Sequence, residues 1–374
     1  MTAALSIISI NESVSQSWTT ESSVRVGGHY DDNIRLSTSD EQSGSSGAAD
    51  AAFTLSRKDA RLLLSLTPRL NYLRYSDQPL LDRADKFVAL NGSYLGERMS
   101  WGGSSNYVRD NTLTSELGLS GIADVNRTHE NLAVSLSPSW RWSERGNLSL
   151  NTAWSQHRYE RPEGTGLTDY DYASASVSNS YALTSEMRFS VSVFGGALRV
   201  PLRGTVTKSS GAQAQLASQI DDLWSWAIGA GPTRVTTDLA TDNGFGYNAS
   251  LQRRGVLGTF AAAAGSDVIP TGRGTLSKRV HASLSLSQPL SEHLTASLET
   301  AWTRNRDIAS TVATGSVSVR YLSTNTALRW QFTPTWSAWV SAGWVEQRYS
   351  LRDDAAEGLR GGMGFAWQGL ERTH

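Results

Sequence analysis

The chain has 374 residues, no cysteine, a formal net charge of -1 and 13 tryptophans. The balanced charge argues against a dedicated nucleic-acid binder, whose footprint is a basic patch or stripe. No run reaches the roughly 18 consecutive apolar residues of a membrane-crossing helix, and the lack of cysteine fits a route through an oxidising compartment.

Residues 1–16 hold one short apolar run, Leu5–Ile10, with no basic residue before it. A secretory signal has a positive start and a longer apolar stretch, so no signal is visible and this segment is expected to be disordered. From residue 17 to residue 371 the chain reads as one domain, with 372–374 as a tail. Its dominant feature is alternation of apolar and polar residues. Leu132, Val134, Leu136, Pro138, Trp140 and Trp142 alternate with Ala133, Ser135, Ser137, Ser139 and Arg141. Leu148, Leu150, Thr152 and Trp154 then alternate with Asn147, Ser149, Asn151, Ala153 and Ser155. The segment 209–220 is only weakly apolar and marks the faintest strand. Further on, Val280, Ala282, Leu284 and Leu286, then Leu294, Ala296, Leu298 and Trp302, keep the same rhythm. Trp336, Ala338, Val340, Ala342 and Trp344 follow, and Leu359, Met363, Phe365 and Trp367 close the series. A period of two gives each strand one apolar and one polar face.

Connections of two lengths separate these strands. Tight turns read at 57–59, 96–98, 143–146, 184–186, 221–222, 253–255, 291–292 and 333–335. Longer polar loops read at 31–47, 78–85, 114–128, 163–170, 306–314 and 351–357. Short turns at one end and longer loops at the other are the arrangement of an outer-membrane barrel. Counting segments of roughly 9–11 residues per crossing gives about eighteen antiparallel strands, an even number that places both termini on the periplasmic side. Near Leu322 the apolar phase changes: Val317, Val319 and Tyr321 lie on one phase, Leu328, Trp330 and Phe332 on the other. A β-bulge is expected there. Radial propeller blades would give a similar repeat length, but they pack both faces and would not carry a continuous Ser/Thr face.

The expected architecture is therefore an all-β transmembrane antiparallel barrel, and barrels of this size enclose an aqueous channel. Trp140, Trp142, Trp224, Trp226, Trp330, Trp336 and Trp367 sit near proposed strand ends and are expected to form an aromatic girdle. Glu21, Arg25, Arg69, Arg141, Arg188, Glu299, Arg320, Arg329 and Arg360 fall on the predicted lumen face. An arginine-rich wall would favour anionic solutes; alternatively, the arginines pair with Glu21 and Glu299 and brace the wall. The loop carboxylates, Asp31, Asp32, Asp40, Glu41, Asp82, Asp85, Asp353 and Asp354, lack the spacing of a cation motif. No zinc or phosphate-loop pattern occurs, and no metal or cofactor is expected. The one grouping worth testing for hydrolysis is His157 near Ser155, with Glu160 and Asp169 beyond; no enzyme is expected.

Several segments carry a family resemblance. Gly28-His29-Tyr30-Asp31-Asp32-Asn33-Ile34, Tyr107–Glu116, Leu167–Tyr170, Tyr181–Glu186 and Pro270–Leu276 resemble signatures of the β-barrel porin 2 family. These are loop and turn signatures spread over nearly the whole chain. The resemblance implies an outer-membrane location, contact with outer-membrane lipid and lipopolysaccharide, and insertion by the barrel assembly machinery. Some members are associated with exopolysaccharide loci, which would bring in periplasmic polysaccharide-export proteins. The C-terminus departs from the usual aromatic ending, since Gly369–His374 follows Phe365-Ala366-Trp367. Three functions follow in order of expectation: a pore for hydrophilic solutes, a conduit for an exopolysaccharide, and a closed structural or adhesive barrel.

Overall fold

The structure, a computed structural model, describes residues 17–116, 126–238, 240–308, 318–349 and 355–373. The expected N-terminal segment, 1–16, lies outside the described residues. The strands are β1 (Ser17–Asp31), β2 (Gly44–Lys58), β3 (Leu62–Tyr75), β4 (Arg83–Leu95), β5 (Met99–Asn111), β6 (Thr128–Leu136) and β7 (Ser139–Arg141). Next come β8 (Gly146–Tyr159), β9 (Tyr170–Ala182), β10 (Met187–Val200), β11 (Thr205–Gln219), β12 (Trp224–Thr236), β13 (Thr241–Gly255) and β14 (Gly258–Pro270). The set ends with β15 (Leu276–Pro289), β16 (Leu294–Asp307), β17 (Ser318–Gln331), β18 (Trp336–Tyr349), β19 (Ala355–Gln368) and β20 (Arg372–Thr373). The faint segment around 209–220 is the ordinary strand β11.

Each strand pairs antiparallel with its chain neighbours, and β1 pairs with β19 from Ser23 opposite Gln368 to Asp31 opposite Arg360. That last pairing closes the sheet on itself. Strands β6 and β7 are one strand interrupted at Pro138, which has no N–H to donate. The register against β8 is unbroken across the gap, with Leu136 opposite Thr152 and Ser139 opposite Ser149. Leu150 N–H still donates to Pro138 O at 3.0 Å. With β20 as a two-residue edge beside Thr19 and Thr20, the wall consists of eighteen spanning strands. A closed ring leaves no sheet edge, which is what permits a sheet to sit in hydrocarbon.

The two faces differ as the alternation requires. Outward positions are apolar and bare: Leu70 is 58% exposed, Val193 55% and Met363 67%. Inward positions carry rows of hydroxyls in direct register, such as Ser100 Oγ with Ser139 Oγ at 2.6 Å and Ser104 Oγ with Ser135 Oγ at 2.7 Å. A soluble monomer rarely exposes so continuous an apolar surface. The apolar side therefore meets lipid, and the barrel spans a membrane. No helix among the described residues is long and apolar enough to cross one.

Ser17 and Thr373, the first and last described residues, lie at the end of the barrel that carries the tight turns. The seven tryptophans named above gather on the outer wall there. Trp142 lies in the turn itself and donates to Asn179 at 3.0 Å; Trp336 stands opposite Trp367 in register. At the other end Tyr30, Tyr72, Phe245, Trp302 and Trp344 also face outward. Trp18 and Tyr30 lie twelve positions apart on β1, a rise of about 30 Å for a tilted strand.

Three expectations need correction. The tight turns at 57–59 and 253–255 lie further along, because β2 runs to Lys58 and β13 to Gly255. The loops are less sorted by length than expected, since 201–204, 237–240 and 271–275 at the long-loop end are also short. There is no bulge near Leu322: β17 keeps one register against β16 and β18 over its whole length. The phase changes because the interior beside β17 holds a local apolar cluster near the loops. Val319 is buried facing inward, and Tyr321 packs on Leu36, Val345 and Ala356.

Val193→Arg, on the lipid face at mid-strand, is expected to cost about 2–4 kcal/mol, whereas Ser192→Arg on the lumen face is tolerated. Urea unfolding in detergent micelles, read by the heat-modifiable gel shift of the barrel, measures the difference.

Candidate functional site

The lumen has two dissimilar walls. On the side built from β17, β18, β19 and β1–β4, arginines and aromatic rings dominate. Arg25 lies over the indole of Trp339, 4.2 Å from its centroid. Trp339 is buried although it faces the lumen, because it lies flat against a glycine patch. A Cβ on Gly27 would come within 2.6 Å of the indole edge, and one on Gly362 within 3.1 Å. Arg69 binds Asp50 at 2.6 Å and covers the ring of Phe87 at 5.3 Å. Arg329 donates to Ser337 Oγ at 3.1 Å. Such cation–π contacts hold the guanidinium in place while leaving its N–H edge free for a passing ligand.

The nine charged residues singled out above are placed as follows. Glu21 faces inward and accepts from Gln368 at 2.9 Å. Arg25, Arg69 and Arg329 face inward on the wall just described. Arg141 and Arg188 face inward near the tight turns, opposite Asn147 and Ala182 respectively. Arg360 faces inward at the loop end and binds Asp31 at 2.8 Å. Glu299 faces inward between Ser285 and Asn325, and not toward any of the arginines in ion-pair range. Arg320 faces outward, because β17 carries no bulge and Arg320 shares a phase with Leu322 and Trp330. It is not a lumen residue. Asp50 and Trp339 belong to the wall but escaped the sequence reasoning. The signal for Trp339 is an indole on the polar phase of β18, between Ser337 and Ser341.

The opposite wall, β6 through β14, is neutral at mid-height, between Arg141 and Arg188 near the tight turns and Asp267 toward the loops. A cavity of about 800 Å³ lies against it, lined by Asn151, Ser174, Ser176, Gln213, Thr233, Asn248 and Ser250. Tyr172 and Phe194 add aromatic surface, and Arg279, bonded bidentately to Asp267 at 3.0 and 2.5 Å, marks its far edge.

The loop-end mouth above this cavity is roofed. The segment 271–275, between β14 and β15, reaches across the lumen to β8–β10. Thr168 N–H donates to Gly272 O at 2.8 Å. A Cβ on Gly272 would lie 2.8 Å from Tyr159 Oη and 2.9 Å from the Glu116 carboxylate. Tyr159 donates to Glu116 Oε1 at 2.5 Å. Beneath them Tyr159 stacks on His129 at 4.9 Å, His129 Nε2 meets His157 Nδ1 at 3.0 Å, and His157 stacks on Tyr170 at 4.3 Å. Asp110 holds the other nitrogen of His129 at 3.0 Å. Tyr159, Leu167, Tyr170, Leu198, Val200, Val235, Leu276 and Ile308 form the larger of two buried apolar clusters among the described residues. Three segments quoted for the family resemblance, Tyr107–Glu116, Leu167–Tyr170 and Pro270–Leu276, thus meet here.

His157 is occupied by these contacts. Asp169 does not orient it, since Asp169 accepts from Tyr159 N–H at 2.9 Å and lies 3.9 Å from Arg158. Among the described residues no group of three metal-ligating side chains converges.

No family model matches the chain, and no curated protein matches it. Two solved structures share its fold over most of both chains. The outer membrane protein OpdK of Pseudomonas aeruginosa is 10% identical, with 94% of this chain and 99% of that chain covered at a TM-score of 0.51. OccK3 (OpdO) of Pseudomonas aeruginosa is 12% identical, with 94% and 96% covered at a TM-score of 0.50. At such identity the likeness concerns the fold.

Gly274 has φ +70° and its missing Cβ faces Thr168 and Val200. Gly274→Val is expected to strain this turn by about 1–3 kcal/mol and to lift 271–275 from the roof. Limited trypsinolysis of the folded barrel should then cut after Arg273 faster than in the parent chain, with the heat-modifiable gel shift intact.

Proposed function

We propose that this chain is an outer-membrane channel for small hydrophilic solutes, biased toward anions. The observation that carries the reading is the closed ring with a lipid-facing apolar wall and a water-facing interior in which Arg25 and Arg329 have no carboxylate partner among the described residues. Unpaired guanidinium groups in a narrow aqueous path attract carboxylates and phosphates and raise their local concentration. Arg69 and Arg360 contribute less, because Asp50 and Asp31 neutralise them.

The outer membrane is the setting that fits a closed barrel of this size, and the shared fold with OpdK and OccK3 supports it. In that setting the tight turns and both chain ends face the periplasm, the two aromatic bands lie at the headgroups, and the roofed mouth faces outward. Membership of the β-barrel porin 2 family is supported by the way three of its resembling segments assemble one structural unit. The roof, anchored by Tyr159 and Glu116, narrows the path above the neutral wall. Solutes are then led toward the arginine side.

Reversal potentials in planar bilayers under a potassium chloride gradient test the bias. The parent channel should prefer chloride, and Arg25→Ala combined with Arg329→Ala should remove most of that preference. A channel that conducts without anion preference, unchanged by the double substitution, refutes the bias. Absence of conductance from a folded barrel refutes the channel.

A further inference from the structure

The outer wall carries its own unusual feature at the loop end. Arg304, Arg320 and Arg348 stand side by side on three adjacent strands, Arg304 opposite Arg320 and Arg320 opposite Arg348. All three share the outward phase with Trp302, Leu322 and Trp344. Arg306, one outward position further along β16, extends the row. Like charges placed directly opposite one another destabilise a sheet pair, so this row stands at a cost unless something neutralises it.

The protein supplies little neutralisation. Glu346 binds Arg348, and Glu357, opposite Glu346 on β19, is the next carboxylate. Arg320 and Arg306 have no ion pair among the described residues. Elsewhere at the same end, two outward arginines are held by carboxylates on adjacent strands. Arg109 lies 3.5 Å from Glu130, and Arg158 lies 2.9 Å from Asp171. What sets the β16–β18 row apart is that three guanidinium groups stand opposite one another on consecutive strands.

The surface around the row has the shape of an amphiphile's binding site. A groove of about 140 Å³ runs between Arg320, Arg348 and Glu346 on one side and Trp302 and Leu322 on the other. The arginines lie at the loop side of Trp302 and Trp344, where headgroups begin, and the two apolar side chains lie toward the hydrocarbon. Guanidinium groups bind phosphate through paired N–H donors, and interfacial tryptophans pack against the first part of an acyl chain.

We propose that β16–β18 form a binding site for a phosphorylated lipid of the leaflet at the loop end. Its phosphate sits on Arg304, Arg320 and Arg348, and its acyl chain lies on Trp302 and Leu322. The site rests on the membrane setting given above and not on conduction, so the two readings fail separately.

Native mass spectrometry of the full-length barrel released from detergent micelles tests the site. The probes are bis-phosphorylated lipid A, its dephosphorylated form, and inorganic phosphate as competitor. The parent should retain about tenfold more of the phosphorylated lipid than of the dephosphorylated one, the ratio expected from one charge-assisted contact. Arg304→Gln with Arg320→Gln should abolish that ratio, while Arg109→Gln, at a guanidinium already paired with Glu130, preserves it. The heat-modifiable gel shift establishes that each variant is folded, and Arg320→Lys, which keeps the charge, should retain part of the selectivity. Equal retention of the two lipids by the parent overturns the proposal. So does equal loss in Arg109→Gln, or displacement of the lipid by an equimolar amount of inorganic phosphate.

Discussion

The structure depends on one requirement: in hydrocarbon every backbone N–H and C=O must be bonded within the protein. A sheet meets it only by closing, and the chain does so through nine residue pairs between β1 and β19. The rest is subordinate to that closure. Pro138 is accepted because the neighbouring register passes it unbroken. The apolar faces need no protein core, because lipid covers them, and the buried apolar clusters are confined to the mouth. Glycines at 27 and 362 are likewise tied to the β1–β19 seam, where they give Trp339 a flat bed.

Much of the wall could be read from the sequence for a plain reason. Between the aromatic bands the two faces meet solvents of opposite polarity, so Leu132–Trp142 or Trp336–Trp344 advertise their orientation residue by residue. Reading failed where that contrast fades. At the loop end the interior holds local apolar clusters, so Val319 and Tyr321 look like lipid-facing residues while pointing inward. Arg320 was misplaced as a direct result. The turn boundaries at Lys58 and Gly255 slipped because strands continue past the membrane into water, where composition no longer marks the end of pairing.

The candidate site was legible in its ingredients and not in its arrangement. Alternation put Arg25, Arg69 and Arg329 on one face, but no periodicity tells that Asp50 neutralises Arg69 while Arg25 rests on an indole. The roof was less visible still. Glu116, Tyr159 and Gly272 come from loops or strands far apart in the chain, and their meeting depends on 271–275 crossing the lumen. The glycine pair 272 and 274, one of them with positive φ, is the local trace of that crossing.

The unequal walls have a consequence for molecules in transit. A guest with an acidic end and a hydroxyl-rich end meets guanidinium on one flank and amides and hydroxyls on the other. If the wall favours anions as proposed, such a guest would be turned broadside before it advances, as a compass needle is turned by a field across its path. Throughput would then depend on how far apart a guest's two ends are, and two isomers of equal size and charge would travel at different speeds.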